Sequence, residues 1–205
     1  MPNPNARLEM FCDGVFAIAL TLLIIDIKIP ADAPINNTKE MWRALQEILP
    51  SIFAFILSFA IILITWVNHH NAMKLAAKSS PAFMYANGVL LLSVVLIPFP
   101  TSLIGEYIFT DHAAPAVILY NVVLLLQSLG WALICTAGIN DNLSTGEKAT
   151  LEIRKNRTYA YYSVFGYSVL AVLSIWFPLP VLIVTVMLWI VWLTIGINIR
   201  HGEDA

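Results

Sequence analysis

The chain has 205 residues, of which 59% are hydrophobic and only 12% are charged, and its net charge is −2. Soluble domains carry about 25% charged residues, so this composition excludes an ordinary soluble fold and indicates an integral membrane protein surrounded by lipid. No cluster of basic residues suggests a nucleic-acid partner.

Six apolar segments are long enough to cross a membrane, which requires about 20 consecutive residues. They cover residues 8–29, 48–67, 82–104, 116–139, 159–177 and 179–199. The last two come from one uncharged stretch that Pro178 and Pro180 divide into a hairpin, because proline interrupts a helix. We therefore expect an all-α membrane protein whose six transmembrane helices form a single domain over residues 1–205.

The distribution of basic residues predicts the orientation of these spans, because Lys and Arg concentrate in cytosolic loops. One side of the predicted topology holds Arg7, Lys74, Lys78, Lys148, Arg154, Lys155, Arg157 and Arg200. The other side holds only Lys28, Lys39 and Arg43. Both termini are therefore expected in the cytosol.

The first span carries a stripe of residues along one face, since steps of three and four residues keep side chains on the same side of a helix. The stripe consists of Arg7, Phe11, Gly14, Ile18, Thr21 and Ile25. Around a symmetry axis, several copies would form apolar rings of Ile18 and Ile25 with the Thr21 hydroxyl between them. Such rings can gate ions by dewetting. The same spacing also suits simple helix packing, and periodicity alone leaves both interpretations open.

Two charged groups near the start of the first span need partners, because a charge near hydrocarbon is costly. Asp13 lies about 120° from the stripe, so we expect it to face a neighbouring helix. The second span ends with Trp66, His69 and His70 at the same level. A cluster of Asp13, Arg7 and one histidine would be either a fixed clamp between the helices or a regulatory site, since histidine titrates near neutral pH.

Other candidate sites lie outside this cluster. Asp26 marks the outer end of the first span, where a carboxylate would concentrate cations at a channel mouth or form a solvated pair with Lys28. Cys12 and Cys135 lack the spacing of a metal or redox motif, so we expect two free, buried thiols. Adjacent histidines point about 100° apart on a helix, and no cofactor or metal site is expected.

The start of the first span also matches a family signature. The string reads Arg7-x-x-x-Phe11-Cys12-Asp13-x-x-Phe16. Together with the apolar run 17–23, it resembles the R-x-x-x-F-S-D-x-x-F signature of the transmembrane protein 175 family. That family includes the lysosomal potassium channel and shorter bacterial relatives. The six predicted spans, and a second span that ends in Trp66-x-x-His69, are similar in layout.

This resemblance implies a homotetrameric, potassium-permeable channel in a cell membrane, of the bacterial inner-membrane type, without the carbonyl-lined T-V-G-Y-G filter. In the family the first helices line the pore around a hydrophobic constriction. At the matching positions of this chain, the resemblance places the constriction at Ile18, a ring of hydroxyl groups at Thr21 and a second apolar ring at Ile25. K⁺ would be the permeating ion and not a bound cofactor.

The chain departs from the signature at one position, because Cys12 stands where the family has serine. A thiol is a much weaker hydrogen-bond partner than a hydroxyl. A polar network centred on this position, and with it gating or a pH response, is therefore in question. Helix packing is compatible with the change.

Three functional classes compete for this chain. The main hypothesis is a weakly selective potassium channel with a hydrophobic constriction. The alternative is a proton-coupled secondary transporter that uses Asp13 and His69 as a proton relay. An enzyme would need a nucleophile and a base at a recognisable spacing, and the sequence contains no such pair, so no enzymatic activity is expected.

Overall fold

The computed structural model of the chain describes residues 5–29 and 35–201, and for Asp26, Val191 and 195–201 it describes the backbone alone. Within these ranges the chain forms eight α-helices, one short 3₁₀ helix and no strand. The helices are α1 (Ala6–Leu22), followed by the 3₁₀ turn Leu23–Asp26, α2 (Thr38–Glu47), α3 (Leu49–Lys74), α4 (Pro81–Leu96), α5 (Pro98–Tyr107), α6 (Ala113–Asn140), α7 (Glu147–Leu173) and α8 (Pro178–His201). The predicted all-α class is confirmed.

Four helical stretches of the described chain are long and apolar enough to cross a membrane, namely Ala6–Ile25, Leu49–Lys74, Pro81–Tyr107 and Ala113–Asn140. They correspond to the first four predicted spans. The last two predicted spans fall on α7 and α8, and the apolar part of α8 that meets the composition requirement, Pro178–Thr194, is shorter. Because it has four such stretches, the chain is a multi-pass membrane protein.

The third predicted span is not one continuous helix. It divides at Ile97 into α4 and α5, because Pro98 and Pro100 have no N–H to donate to the preceding turn. At the break, the Ile97 N–H bonds to the Val94 carbonyl three residues back. The predicted hairpin before Pro178 is present, since α7 ends at Leu173 and α8 begins at Pro178.

The structure contains one helix that the spans do not include. The segment between the first two spans forms α2, whose first turn is capped by two hydrogen bonds: the Glu40 N–H donates to Oδ1 of the N-cap residue Asn37 at 3.0 Å, and the Asn36 N–H donates to Glu40 Oε2 at 2.6 Å. The hydrogen bond from the Asn36 backbone holds the pKa of the Glu40 carboxyl below its ordinary value. A polar segment can therefore be helical when its first turn is capped.

The polar segment 140–157, which lies between two predicted spans, is helical from Glu147 onward. Helix α7 begins at Glu147 and runs without interruption into the apolar stretch that was predicted to start at residue 159. Its first turns contain good helix formers and one exposed ion pair, Lys155 to Glu152 at 3.8 Å. The helix therefore continues well beyond its apolar part.

Helix α6 lies at the centre of the bundle, between α4 and α7, whereas α1 packs at the side, on α3 and α4. The approach of α6 to α4 depends on Gly130, because a Cβ atom there would lie 2.8 Å from the backbone of Leu90. Between α3, α5 and α6, the Ser58 hydroxyl bonds to Thr101 at 2.6 Å and to Tyr120 at 3.2 Å. Such hydrogen bonds hold helices together where lipid supplies no hydrophobic driving force.

The amino-terminal end of α1 is fastened to two loops. Asn5 is buried and its amide donates to the Ala76 carbonyl at 2.9 Å. The loop after α3 pairs in turn with the loop after α6 through the Ala77 N–H and the Leu143 carbonyl, at 2.7 Å. Ser80 also bonds to the Asp141 carboxylate. The starting position of α1 is thereby set relative to α3, α4 and α6.

Candidate ion-conducting site

Helix α1 has two faces of opposite exposure. The buried face consists of Cys12, Phe16, Ala19 and Leu23, which are 0–3% exposed. The predicted stripe lies on the opposite face, where Phe11 is 62%, Ile18 59% and Ile25 54% exposed. Its other members, Arg7, Gly14 and Thr21, are exposed as well. The protomer therefore covers one side of α1 and leaves the whole stripe uncovered.

The Thr21 hydroxyl donates to the carbonyl of Ile18 in its own helix, at 2.8 Å. Because this bond uses the only hydroxyl proton, the side away from the helix presents oxygen lone pairs alone. Lone pairs attract cations and repel anions. Thr21 is thus an exposed acceptor within an otherwise apolar part of the stripe.

Asp13 is bound by a tryptophan and not by a histidine. The Trp66 indole N–H donates to Asp13 Oδ1 at 2.8 Å. Helix α3 thereby holds the acidic residue of the signature at the edge of α1, and Trp66 also stacks on His70, with ring centroids 6.1 Å apart. Asp13 therefore contacts the end of the second predicted span, as expected, and its direct partner there is Trp66.

His69 is buried behind α1 and bonds to α4. Its Nε2 lies 2.8 Å from Asn87 Oδ1, and the Asn87 amide nitrogen donates to the Phe83 carbonyl at 2.8 Å. Since that second bond fixes the amide orientation, Asn87 can only accept from His69, so Nε2 carries a hydrogen. The His69 ring also lies 5.6 Å from the Phe16 ring of α1.

The other predicted site residues are separated from this contact. Arg7 is exposed and makes no ion pair with Asp13, and His70 is exposed beside Trp66. The structure therefore distributes the expected Asp13, Arg7 and histidine cluster over two places, a half-exposed edge and a buried contact. The side chain of Asp26 lies outside the described part of the chain.

Two residues of the site were not anticipated from the sequence. Asn87 is the partner of His69, and Trp131 of α6 lies beside the same imidazole, at 6.4 Å between ring centroids. An asparagine inside an apolar span needs a buried partner, and that signal could have identified Asn87. Periodicity contains no comparable signal for Trp131, because this residue lies on α6, three helices after the helix that carries His69.

Both cysteines are free and buried, as predicted. Among the described residues, no three His, Cys, Asp or Glu side chains lie close enough to bind a metal ion. The exposed face of α1 is mainly apolar, with the Thr21 hydroxyl as an acceptor and the Arg7 guanidinium at its start.

Comparison with known proteins supplies the family. A family profile described as the endosomal/lysosomal potassium channel TMEM175 matches residues 7–98. A potassium channel of Streptomyces collinus is 41% identical over 146 residues, which are 68% of this chain and 69% of that protein. A potassium channel of Chamaesiphon minutus is 45% identical over 123 residues, and the match spans 60% of the length of each protein.

The similarity extends to the whole fold. The crystal structure of a lysosomal potassium-selective channel TMEM175 homolog from Chamaesiphon minutus superposes with a TM-score of 0.71 and 32% identity, over 98% of both chains. The signature at the start of α1 and the overall architecture thus point to the same relatives. The chain belongs to the TMEM175 family, which is a family of ion channels and not of enzymes.

Proposed function

We propose that this protein is a potassium-permeable, weakly selective cation channel formed by four copies of the chain around a central axis. Each copy contributes one domain of six transmembrane helices with both termini in the cytosol, in a bacterial inner membrane. The α1 stripes line the axis, and Ile18 forms the narrowest ring. K⁺ passes through as the permeating ion, without a cofactor and without a carbonyl filter.

The observation that carries this proposal is the exposed face of α1. A face that contacts only lipid has no use for a glycine, a hydroxyl and a guanidinium, and polar groups at membrane depth normally face protein or water. In this protomer, Gly14, Thr21 and Arg7 share the uncovered face with Ile18 and Ile25. An axis between copies would give this face both a partner surface and water.

The chemistry of the stripe suits cations. Rings of Ile18 and Ile25 would expel water from a narrow passage, which raises the barrier to every ion. Thr21 lies between them and presents oxygen lone pairs, since its proton is bonded to the Ile18 carbonyl. One acceptor ring between two apolar rings favours a cation over an anion, yet a single ring of four oxygens does not replace the hydration shell as stacked rings of carbonyls do, so selection between K⁺ and Na⁺ would be weak.

The six-helix topology is supported by the lengths of the last two helices. At 1.5 Å per residue, the 27 residues of α7 and the 24 residues of α8 each exceed the thickness of about 30 Å of a bilayer core. The charges of α7 are confined to residues 147–157, and residues 158–173 carry none. Helix α8 is long enough to cross the bilayer, and α7 would cross it if its uncharged residues 158–173, about 24 Å of helix, continue into the uncharged turn 174–177.

The experiment that tests the proposal is potassium flux into liposomes that contain the purified protein. Ile18→Asn should raise the flux about tenfold, which corresponds to a barrier lowered by about 1.4 kcal/mol, because an amide keeps water in the ring. Ile56→Asn is the matched control, since Ile56 of α3 is 54% exposed but lies outside the stripe. Equal flux in the wild type and Ile18→Asn, or an equal rise in both variants, would remove the pore assignment.

Selectivity and mechanism need two further measurements. Thr21→Ala should change the ratio of K⁺ to Na⁺ permeability, because it removes the acceptor oxygen between the apolar rings. Planar-bilayer recording should show single-channel current steps, whereas a proton-coupled transporter would give saturable flux that follows a proton gradient. Native mass spectrometry of the purified complex should give four copies, and a monomer would contradict a pore on the axis.

A further inference from the structure

Asn5 lies just before α1, on the side of that helix which faces the interior of the protomer. It is 1% exposed, although it stands near the end of the chain. Seven residues make about two turns of a helix, so Asn5 lies in line with Cys12 and Phe16 on the buried face. Arg7, where the stripe begins, is about 200° away around the helix axis. Asn5 therefore holds α1 from the side opposite to the stripe.

The side chain of Asn5 is used in an unusual way. Asn5 occupies the N-cap position of α1, where an asparagine normally accepts a hydrogen bond from one of the first N–H groups of the helix. Its side chain makes no such cap. Instead, the amide nitrogen donates to the Ala76 carbonyl at 2.9 Å, 71 residues away in the chain. The bond thus connects α1 to another part of the protomer, whereas a cap would stabilise only the helix end.

The carbonyl that accepts this bond belongs to a pair of loops that support each other. The Ala77 N–H donates to the Leu143 carbonyl at 2.7 Å, and the Thr145 N–H donates to the Leu75 carbonyl at 3.0 Å. Leu143 is 2% exposed and packs in an apolar cluster with side chains of α4 and α6. The Ala76 carbonyl is therefore fixed to the interior of the bundle.

Asn5 is also the main buried contact of the amino-terminal end of α1, residues 5–11. Residues 6–11 include no buried side chain, and the next buried one is Cys12. Leu8 is partly buried and packs on the same apolar cluster as Leu143. The bond from Trp66 to Asp13 lies about 12 Å further along the helix. The position of this end of α1 therefore depends largely on Asn5.

From these contacts we infer that Asn5 is a positioning residue, which holds the amino-terminal end of α1 away from the central axis and so keeps the cation path open there. The inference rests on the proposed function, in which the stripe faces the axis between four copies. Asn5 does not contact the permeating ion, because it lies on the buried face. It acts on conduction only through the position of α1.

The exposed face of α1 gives the direction of the expected movement. Phe11 is 62% exposed on the stripe, and in the proposed assembly four copies of it surround one axis. Apolar side chains attract one another in water, so without the Asn5 contact the amino-terminal ends of α1 would draw together. The Arg7 side chain is long enough to keep its charge in water, so it does not prevent this movement. A narrower apolar ring raises the barrier to cations.

The first variant, Asn5→Asp, separates positioning from helix capping. Aspartate is as good an N-cap as asparagine, and the helix dipole favours its ionised form, so at about pH 8 a capping role would be kept. The carboxylate has no hydrogen to donate to the Ala76 carbonyl, so the contact between α1 and the loop would be lost. Asn37→Asp is the matched control, because Asn37 caps the exposed helix α2 as an acceptor from the Glu40 N–H.

Single-channel recording in planar bilayers is the functional measurement, because the current of one channel does not depend on how much protein folds. Asn5→Asp should lower the mean current per channel about fivefold, as expected when one ordinary hydrogen bond favours one of two helix positions. Asn5→Ala should do the same, and it replaces Asn5→Asp if the buried charge prevents folding. Wild-type current in Asn5→Ala, or an equal loss in Asn37→Asp, would overturn the role of Asn5.

A distance measurement tests the same inference without conduction. Met10 is 66% exposed and lies outside the stripe, and both native cysteines are buried, so a spin label on Met10→Cys reports the distance between copies by double electron–electron resonance. Asn5→Ala should shorten this distance, and an unchanged distance would contradict the inference. A shorter distance in proteins that conduct no potassium, the parent protein included, would support the position set by Asn5 and contradict the channel function.

Discussion

Helices α1 and α6 are both apolar enough to cross a membrane, but the protomer covers them very differently. Within an 18-residue window of each span, 22% of the window is buried in Ala6–Ile25, which contains α1, and 56% is buried in α6. Helix α6 packs against α4 and α7, whereas α1 contacts α3 and α4 with one face. Similar hydropathy therefore describes both a helix that organises the bundle and one that leaves a whole face uncovered.

This difference in burial predicts which property, folding or ion flux, a substitution on each helix should change. Changes on α6 are expected to affect folding, because its side chains fill the interior. Changes on the exposed face of α1 are expected to affect ion flux and leave the protomer intact. Changes at the contacts between α1 and the interior should affect both, to a degree that depends on burial.

The largest expected effect is a difference in stability between two alanine substitutions, one at Gly130 on α6 and one at Gly14 on α1. Gly130→Ala should destabilise the protein by about 3 kcal/mol, at the upper end for overpacking, because the new Cβ would lie 2.8 Å from the Leu90 backbone. Gly14→Ala should not destabilise it, since nothing lies within 4 Å of that position in the protomer. Thermal unfolding of the two variants in detergent measures this difference.

The same pair should behave in the opposite way in flux measurements. Four added methyl groups at Gly14 would narrow the axis and lower potassium flux, whereas the fraction of Gly130→Ala that folds should conduct normally. A destabilised Gly14→Ala variant with unchanged flux would place that residue in a packed interior and would break the comparison.

The two adjacent histidines sharpen the contrast between the interior and the surface. His69→Ala should cost about 2 kcal/mol of stability, because it leaves the buried Asn87 oxygen without its donor. His70→Ala, on the exposed side of the same helix, loses only a ring contact with Trp66 and should stay close to the wild type. Thermal unfolding compares them, and equal losses would contradict the assignment of His69 as the structural residue.

A smaller effect is expected at the edge of α1. Trp66→Phe removes the indole donor to Asp13 and should cost about 1 kcal/mol, since the bond is partly open to solvent. Trp176→Phe is the matched control, because Trp176 is 64% exposed at the end of α7. If both variants unfold at the wild-type temperature, the Asp13 contact does not hold α1 in place.

The smallest effect is expected for Cys12→Ser, which restores the residue of the family signature. Cys12 is fully buried against the interior, and a serine there can bond to the carbonyl one turn earlier in its own helix. Stability should change by less than about 1 kcal/mol, as checked by thermal unfolding. A larger loss would mean that the thiol fills space that a hydroxyl cannot.

The two faces of α1 could be predicted from the sequence because helical periodicity is a local signal. The spacing of Phe11, Ile18 and Ile25 indicated one face of a helix, and that face is the exposed one in the protomer. The sequence was not sufficient for the partners of the polar residues. Asp13 bonds to Trp66 and His69 bonds to Asn87, because the packing of α1 on both α3 and α4 decides which side chains meet.

The amino-acid sequence by itself determined the membrane environment, the helical class and the two faces of α1, since hydropathy and helical periodicity depend on neighbouring residues along one segment. Only the tertiary structure decided that α6 lies at the centre of the bundle, that Asn87 fixes the hydrogen on His69, and that Gln127 bonds to Thr65. These features depend on distances between helices far apart in the chain, and a pattern along one helix contains no information about them.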